Sequence, residues 1–227
     1  MELVLLPGMD GTGELFGPLL ARLPLDMRAS VIGYPDRPQT YAEHEGWVRH
    51  ELPRSEPFVL LGESFSGPIA VKIAASQTPN LRGLILCASF LTCPSRALRL
   101  LRSFTRLASP KLVPAFLAQR SLLGDFATPE LRAAQTRALG HVSSRTLTAR
   151  LRAMAYVDVR AEARSIGVPT LYLQASADRL VGSRLADEYV AHARRPRLLR
   201  IEGPHLLLQA NPDHCAKAIV EFVASCR

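Results

Sequence analysis

Apolar residues are distributed along the chain in two kinds of pattern. Short runs rich in apolar residues and bounded by turn residues occur at residues 2–7, 30–35, 58–62, 81–89, 169–176 and 197–202, unbroken at 58–62 and from Leu84 to Ala88. Runs of this length and continuity predict strands buried on both faces of a parallel sheet. Between them lie stretches with helical signals. A helix is expected from the glycine-rich loop after residue 8 through about Leu23. A second should start near Tyr41, because Thr40-Tyr41-Ala42-Glu43 matches a capping box. A third opens at Pro68, and others cover Ser183 to His192 and Pro212 to Ser225. From Phe90 to about Arg160 the strand signal stops. There Leu98, Leu101, Phe104 and Leu107 recur at helical spacing, and Thr128-Pro129-Glu130 is a helix start. The chain therefore reads as an α/β core, residues 1–90 and 161–227, with a helical insertion over 91–160.

In such a sheet, ligands bind beyond the carboxyl ends of the strands. Three residues that together can carry nucleophilic chemistry fall there: Ser64, Asp178 and His205. Ser64 lies between Gly62 and Ser66-Gly67, small residues that let strand and helix pack closely while the backbone turns and lifts the hydroxyl off the sheet. A serine hydroxyl needs a base in reach, histidine has the fitting pKa, and a buried carboxylate fixes the imidazole tautomer. Each residue also has a plainer reading. Ser64 could sit in an ordinary strand-to-helix turn, Asp178 could cap the following helix, and His205 could be a satisfied structural histidine. Asp158 is a rival acid, with Arg160 as a local partner. The other histidines, His44, His50, His141, His192 and His214, are expected at the surface. The glycines of Gly8-Met9-Asp10-Gly11-Thr12-Gly13 fit neither the phosphate-binding loop nor the dinucleotide fingerprint.

Composition narrows the partners. The chain has 227 residues, 48% of them hydrophobic, enough for a sizeable core. Net charge is +8, but the basic residues are scattered, almost all arginine, with no aromatic platform beside them, so nucleic acid is not the expected partner. No apolar run approaches a membrane span, and Met1 to Pro7 lack a secretory signal, so a cytoplasmic location is expected. Cys87, Cys93, Cys215 and Cys226 show no metal-ligand spacing and read as reduced packing residues.

Four motifs together resemble the α/β-hydrolase family, and the resemblance spans essentially the whole chain. Gly62-Glu63-Ser64-Phe65-Ser66-Gly67 is similar to its nucleophile elbow and Leu6-Pro7-Gly8-Met9-Asp10-Gly11 to its oxyanion loop. Ser176-Ala177-Asp178-Arg179-Leu180-Val181 is similar to its acid turn and Gly203-Pro204-His205 to its base turn. The order Ser, Asp, His is the order of that fold. The resemblance implies a mainly parallel sheet of about six strands, a cap at 91–160, and an oxyanion hole from the N–H groups of Met9 and Phe65. It implies a serine hydrolase of carboxylic esters or thioesters acting through an acyl-enzyme on Ser64, with no metal or organic cofactor required. Acyl transfer or perhydrolysis by the same triad, and a ligand receptor on a hydrolase scaffold, are the alternatives. Ser66 replaces the usual second glycine. Pro7 replaces the histidine many relatives carry, which leaves open how the oxyanion loop is anchored. The chain begins at what would be the family's third strand. Phe90, Leu91, Phe104, Leu107, Phe116, Leu117 and Phe126 could line an acyl pocket or pack the cap. Arg96, Arg99, Arg102 and Arg106 share one helix side. That side is either solvated surface or a dock for an acidic acyl carrier protein, as in the family's pimeloyl-carrier-protein methyl ester esterases. A small-molecule ester or acyl substrate is the expected ligand.

Overall fold

The structure is a computed structural model and describes residues 1–100 and 114–226. Strands β1 (Glu2–Leu6), β2 (Ala29–Val31), β3 (Phe58–Glu63), β4 (Leu81–Cys87), β5 (Thr170–Ala175) and β6 (Pro196–Ile201) form one six-stranded sheet. Their order is β2-β1-β3-β4-β5-β6, and every neighbouring pair is parallel. The helices are α1 (Gly17–Leu20), α2 (Tyr41–Glu51), α3 (Gly67–Ala75), α4 (Arg96–Leu100), α5 (Ala115–Leu122) and α6 (Pro129–Gly140). They continue with α7 (Ser144–Ala155), α8 (Arg160–Ser165), α9 (Ser183–His192), α10 (Leu207–Ala210) and α11 (Pro212–Ser225).

Strand periodicity sorts the apolar residues into two cores. Val4, Leu60, Leu84, Leu86 and Tyr172 face one side, where α2, α3, α8 and α9 supply Val48, Ile69, Ala163 and Tyr189. Their neighbours Leu3, Leu5, Val59, Leu61, Ile85 and Leu171 face the other, against Leu19 of α1 and Cys215, Ile219 and Phe222 of α11. Both faces are covered, which is why the strand sequences read as continuous apolar runs.

The expected α/β architecture is present, with local differences. Residues 32–35 leave the ladder after Val31. The Ile32 N–H still donates to the Leu5 carbonyl, but Tyr34 N–H turns to Gly11 O at 2.8 Å, and Pro35 has no N–H to offer. The first helical stretch breaks into a 3₁₀ turn, Glu14–Phe16, and α1, which ends before Leu23. Helix α8 was not expected; it buries Ala163 through a short Val159–Ala163–Ile166 spacing. The two ends of the β4–β5 connection meet where Thr92 bridges Asp158 and Val159 N–H donates to Leu91 O at 2.9 Å.

The turn from β3 into α3 leaves no room for side-chain atoms. A Cβ on Gly62 would lie 2.9 Å from the Ala70 Cβ, 3.0 Å from Ser66 O and 3.1 Å from the Gly67 Cα. One on Gly67 would lie 1.7 Å from Ser89 Oγ. Gly46, within α2, has nothing within 4 Å of such an atom. Gly62→Ala should therefore cost about 1–3 kcal/mol through overpacking, whereas Gly46→Ala should gain about 0.5–1 kcal/mol from helix propensity. Denaturation midpoints of the two variants should move in opposite directions; equal shifts would contradict the close-packed turn.

Candidate active site

Parallel strands bring the segments after β1, β3, β5 and β6 to one edge of the sheet. Ser64 follows β3 with φ 47°, a left-handed conformation that a non-glycine residue holds only when its surroundings enforce it. The enforcement is visible. Its carbonyl accepts Ser89 Oγ–H at 2.7 Å, and Ser89 O in turn accepts the Tyr172 hydroxyl at 2.5 Å. The Ser64 Oγ lies 2.8 Å from His205 Nε2, and His205 Nδ1 lies 2.8 Å from Asp178 Oδ2. The other oxygen of Asp178 accepts the N–H groups of Leu180 and Val181, both at 2.8 Å. Asp178 thus both caps its turn and holds the histidine; the two readings are compatible. The His205 and Asp178 side chains are only 5% and 2% exposed. Burial alone would lower the His205 pKa, but the charge and hydrogen bond of Asp178, with Glu63 behind them, outweigh it and the net shift is upward.

Beside this line runs the Pro7–Gly11 loop. Gly8 packs against the serine: a Cβ there would be 3.9 Å from the Ser64 Cβ. Met9 follows Gly8, and Phe65 follows Ser64. The Phe65 ring is fully buried, stacked on Tyr41 at 4.8 Å and flanked edge-on by Tyr34 and His44. Ser66 donates to the Pro7 carbonyl and lies 2.5 Å from the Tyr34 hydroxyl. Because the single Ser66 proton is used on Pro7, Tyr34 must be the donor to Ser66 Oγ. Ser66, where the family pattern has glycine, therefore supplies an anchor for the loop. Glu63 is buried beneath it, accepting from Gln209 Nε2 at 3.0 Å and from the backbone of Gly8. Burial raises its pKa to about 7, with the Asp10 charge adding to the rise; the Gln209 and Gly8 bonds and His205 oppose it.

Other expected residues lie elsewhere. Asp158 is bound by Arg160 at 2.6 and 2.9 Å and pairs across to Thr92, away from the histidine. His44 is not a surface residue: it is fully buried in the aromatic cluster, where burial and the charge of Arg150 hold its pKa down to about 4. Phe90 and Leu91 are packed in the core, while Phe116 and Leu117 are exposed. Arg96 and Arg99 are exposed on α4; Arg102, Arg106, Phe104 and Leu107 lie outside the described residues. The four cysteines are unpaired. A cleft of about 920 Å³ opens between α2 and α7, but Ser64, Asp178 and His205 do not line it. Among the described residues no helix is long and apolar enough to cross a membrane. The polar roles of Glu63, Tyr34, Ser66 and Arg150 were not foreseen from the sequence. A charged residue ending the apolar run 58–62 was a usable signal for Glu63, and the displaced glycine was one for Ser66. Arg150 gave none, because its neighbourhood is rich in arginine.

Two curated relatives are both named pimeloyl-[acyl-carrier protein] methyl ester esterase. The one from Edwardsiella ictaluri is 27% identical over 97% of this chain and 92% of its own length. The one from Stenotrophomonas maltophilia is 28% identical over 98% and 93%. Among solved structures, the enol-lactonase from Burkholderia xenovorans superposes with a TM-score of 0.84 at 18% identity, covering 98% of this chain and 90% of its own. That likeness establishes the fold. The family Hydrolase_4, described as serine aminopeptidase, S33, matches residues 42–214, a span that takes in Ser64, Asp178 and His205, and the chain belongs to that family of α/β-hydrolases.

Proposed function

We propose that this α/β-hydrolase cleaves carboxylic esters or thioesters through an acyl-enzyme on Ser64. The observation that carries the reading is the continuous hydrogen-bonded line from Ser64 Oγ through His205 to Asp178. His205 Nε2 takes the hydroxyl proton as Ser64 Oγ attacks the carbonyl carbon. Negative charge moves to the carbonyl oxygen, where the N–H groups of Met9 and Phe65 receive it. The tetrahedral species collapses, the bond to the leaving oxygen or sulfur breaks, and His205 returns the proton to it. Water, deprotonated by His205, then attacks the acyl carbon; the bond from that carbon to Ser64 Oγ breaks, His205 passes the proton to Oγ, and the carboxylic acid and free Ser64 are released. Asp178 stays ionised, holding the Nδ1–H tautomer and stabilising the imidazolium.

For the substrate class, the names of the two relatives suggest an acyl group carried by an acidic carrier protein, and the exposed Arg96 and Arg99 are compatible with one. Ser64→Ala should lower turnover of p-nitrophenyl esters by about 10⁴-fold or more; retention of a tenth of the activity in a clean preparation would exclude Ser64. In the same series, a carrier-protein methyl ester should show kcat/KM that falls with salt while the small esters do not. Salt-independent rates on both would remove the carrier from the reading.

Asp178→Asn should cost about 10³–10⁴ in kcat, since the wrong tautomer is then favoured. Asp158→Asn should cost little. The reverse pattern in two folded variants would reassign the acid.

Glu63 sets a pH signature. Neutral His205 is the active base, so kcat/KM should rise with pH through a pKa above the ordinary 6.5. The Glu63 charge helps raise that pKa, so Glu63→Gln should shift the rising limb to lower pH. Stability should respond as well. Between 4.5 and about 7 the unfolded chain has lost the Glu63 proton while the folded chain keeps it, so rising pH destabilises the fold across that interval. The glutamine variant should lack this slope; an unchanged slope would show that Glu63 is not buried as described.

A further inference from the structure

The helical connection between β4 and β5 sends one side chain into the core beneath the oxyanion loop. Arg150 of α7 is 1% exposed. None of the ion pairs among the described residues involves it. Its partners are main-chain carbonyls instead. Nη1 donates to Met9 O at 2.9 Å and Asp10 O at 2.8 Å, and Nη2 to Pro35 O at 3.5 Å. The guanidinium carbon sits 5.6 Å from the centroid of the Tyr34 ring. The loop is wrapped closely around it. Gly11 has φ +71°, and a Cβ there would lie 2.5 Å from Nη1.

A buried cation is a costly way to attach a helix to a sheet, since apolar residues of like volume do so as well or better. What the guanidinium supplies that leucine or methionine cannot is a rigid fork that fixes carbonyl directions. The carbonyls of the loop are all accounted for. Pro7 O accepts from Ser66, Gly8 O from Gly11 N–H at 3.1 Å, Met9 O and Asp10 O from Arg150, and Gly11 O from Tyr34 N–H. The Gly8–Met9 peptide lies in the middle of this run. In a trans peptide the N–H points opposite to the C=O, so the Met9 N–H is set by Gly8 O, which the Gly11 N–H holds. The Gly11 N–H is in turn opposite the Asp10 carbonyl that Arg150 ties back, and Arg150 acts on the Met9 N–H through that relay.

We propose that Arg150 is a positioning residue for the oxyanion hole, holding the Met9 N–H in its receiving direction from the β4–β5 connection. Turnover then depends on Arg150 even for an ester too small to touch that connection. The proposal rests on the hydrolase reading above, with Met9 as one oxyanion donor.

The test uses p-nitrophenyl acetate and the full-length protein. Arg150→Met should lower kcat by about 10²-fold, comparable to losing one oxyanion donor, with KM within about twofold because ground-state binding is untouched. Arg150→Lys keeps the charge but loses the fork, and should fall between Arg150→Met and wild type. Affinity for phenylboronic acid, whose serine adduct places a hydroxyl in the oxyanion hole, should fall in parallel with kcat/KM. Arg145→Met, an exposed change on the same helix, should leave kcat unchanged. The comparison is made on whichever of Arg150→Lys, Arg150→Gln and Arg150→Met keeps the wild-type near-UV circular dichroism. Wild-type kcat or boronic-acid affinity in a folded variant overturns the proposal. So does loss of the native fold in all three, which would make Arg150 a requirement of folding alone. If Ser64→Ala is inactive while folded Arg150 variants match wild type, only this proposal fails. If Ser64→Ala keeps its activity, the hydrolase reading itself fails.

Discussion

The structure depends first on how closely β3 and α3 approach each other. Parallel strand and following helix are joined by a turn so tight that Gly62 and Gly67 touch atoms a Cβ would displace. Ser64 is left with a positive φ, held by Ser89 on its carbonyl. That strain sits beside a fully buried strand, between two cores that bury every residue of β3. A strained residue persists only when its surroundings over-determine it, and here the surroundings are the sheet itself. The consequence is a hydroxyl raised above the strand ends, where the turns after β5 and β6 bring Asp178 and His205 within hydrogen-bond distance.

A second constraint comes from polar groups inside that packing. Glu63, Tyr34, Ser66 and Arg150 are all buried against the serine turn or the loop beside it. Each would be strongly destabilising alone, and each finds hydrogen-bond partners, although the Nε of Arg150 is left without one. Tyr34 donates to Ser66, Ser66 to Pro7, Gln209 and Gly8 to Glu63, and Arg150 to Met9 and Asp10. With proline where a histidine is common, the loop cannot be anchored from position 7 by a side chain. The anchoring comes to it instead, from the second small residue of the serine turn and from a helix far along the chain.

Much of this was legible in the sequence and some was not, for identifiable reasons. The central strands announced themselves because burial on both faces leaves few polar positions to interrupt the run, whereas the edge strands β2 and β6 are partly exposed and β6 carries Arg197 and Arg200. Their ends were blurred only where local chemistry overrode the pattern, as at Pro35. The meeting of Ser64, Asp178 and His205 followed from strand-end placement in a parallel sheet, without any contact being known. What composition could not show was orientation. His44 lies on an amphipathic helix whose pattern is weak, so its burial against Phe65 depends on the packing of α2 on α3. Arg150 is one of three arginines on α7. Its exceptional place arises from the long-range contact between α7 and the Gly8–Gly11 turn, a distance in sequence that no local period encodes. The segment expected to carry the basic face extends into residues outside those described, so the structure speaks only for Arg96 and Arg99.

These observations argue against treating the strand core as the machine and the β4–β5 connection as its cover. Leu206, next to His205, donates its N–H to Leu122 O at 3.1 Å, and Arg179, next to Asp178, bonds Arg120 O and Asp125. Arg150 meets the carbonyls beside Met9. The connection therefore touches the His205 turn, the Asp178 turn and the Pro7–Gly11 loop through separate residues, each by polar bonds with fixed direction rather than by apolar contact alone. Apolar contact can slide without much loss, because its energy depends on area and not on angle; hydrogen bonds to particular carbonyls cannot. A connection attached in this way fixes the relative positions of three turns that the sheet alone fixes only at their strand ends.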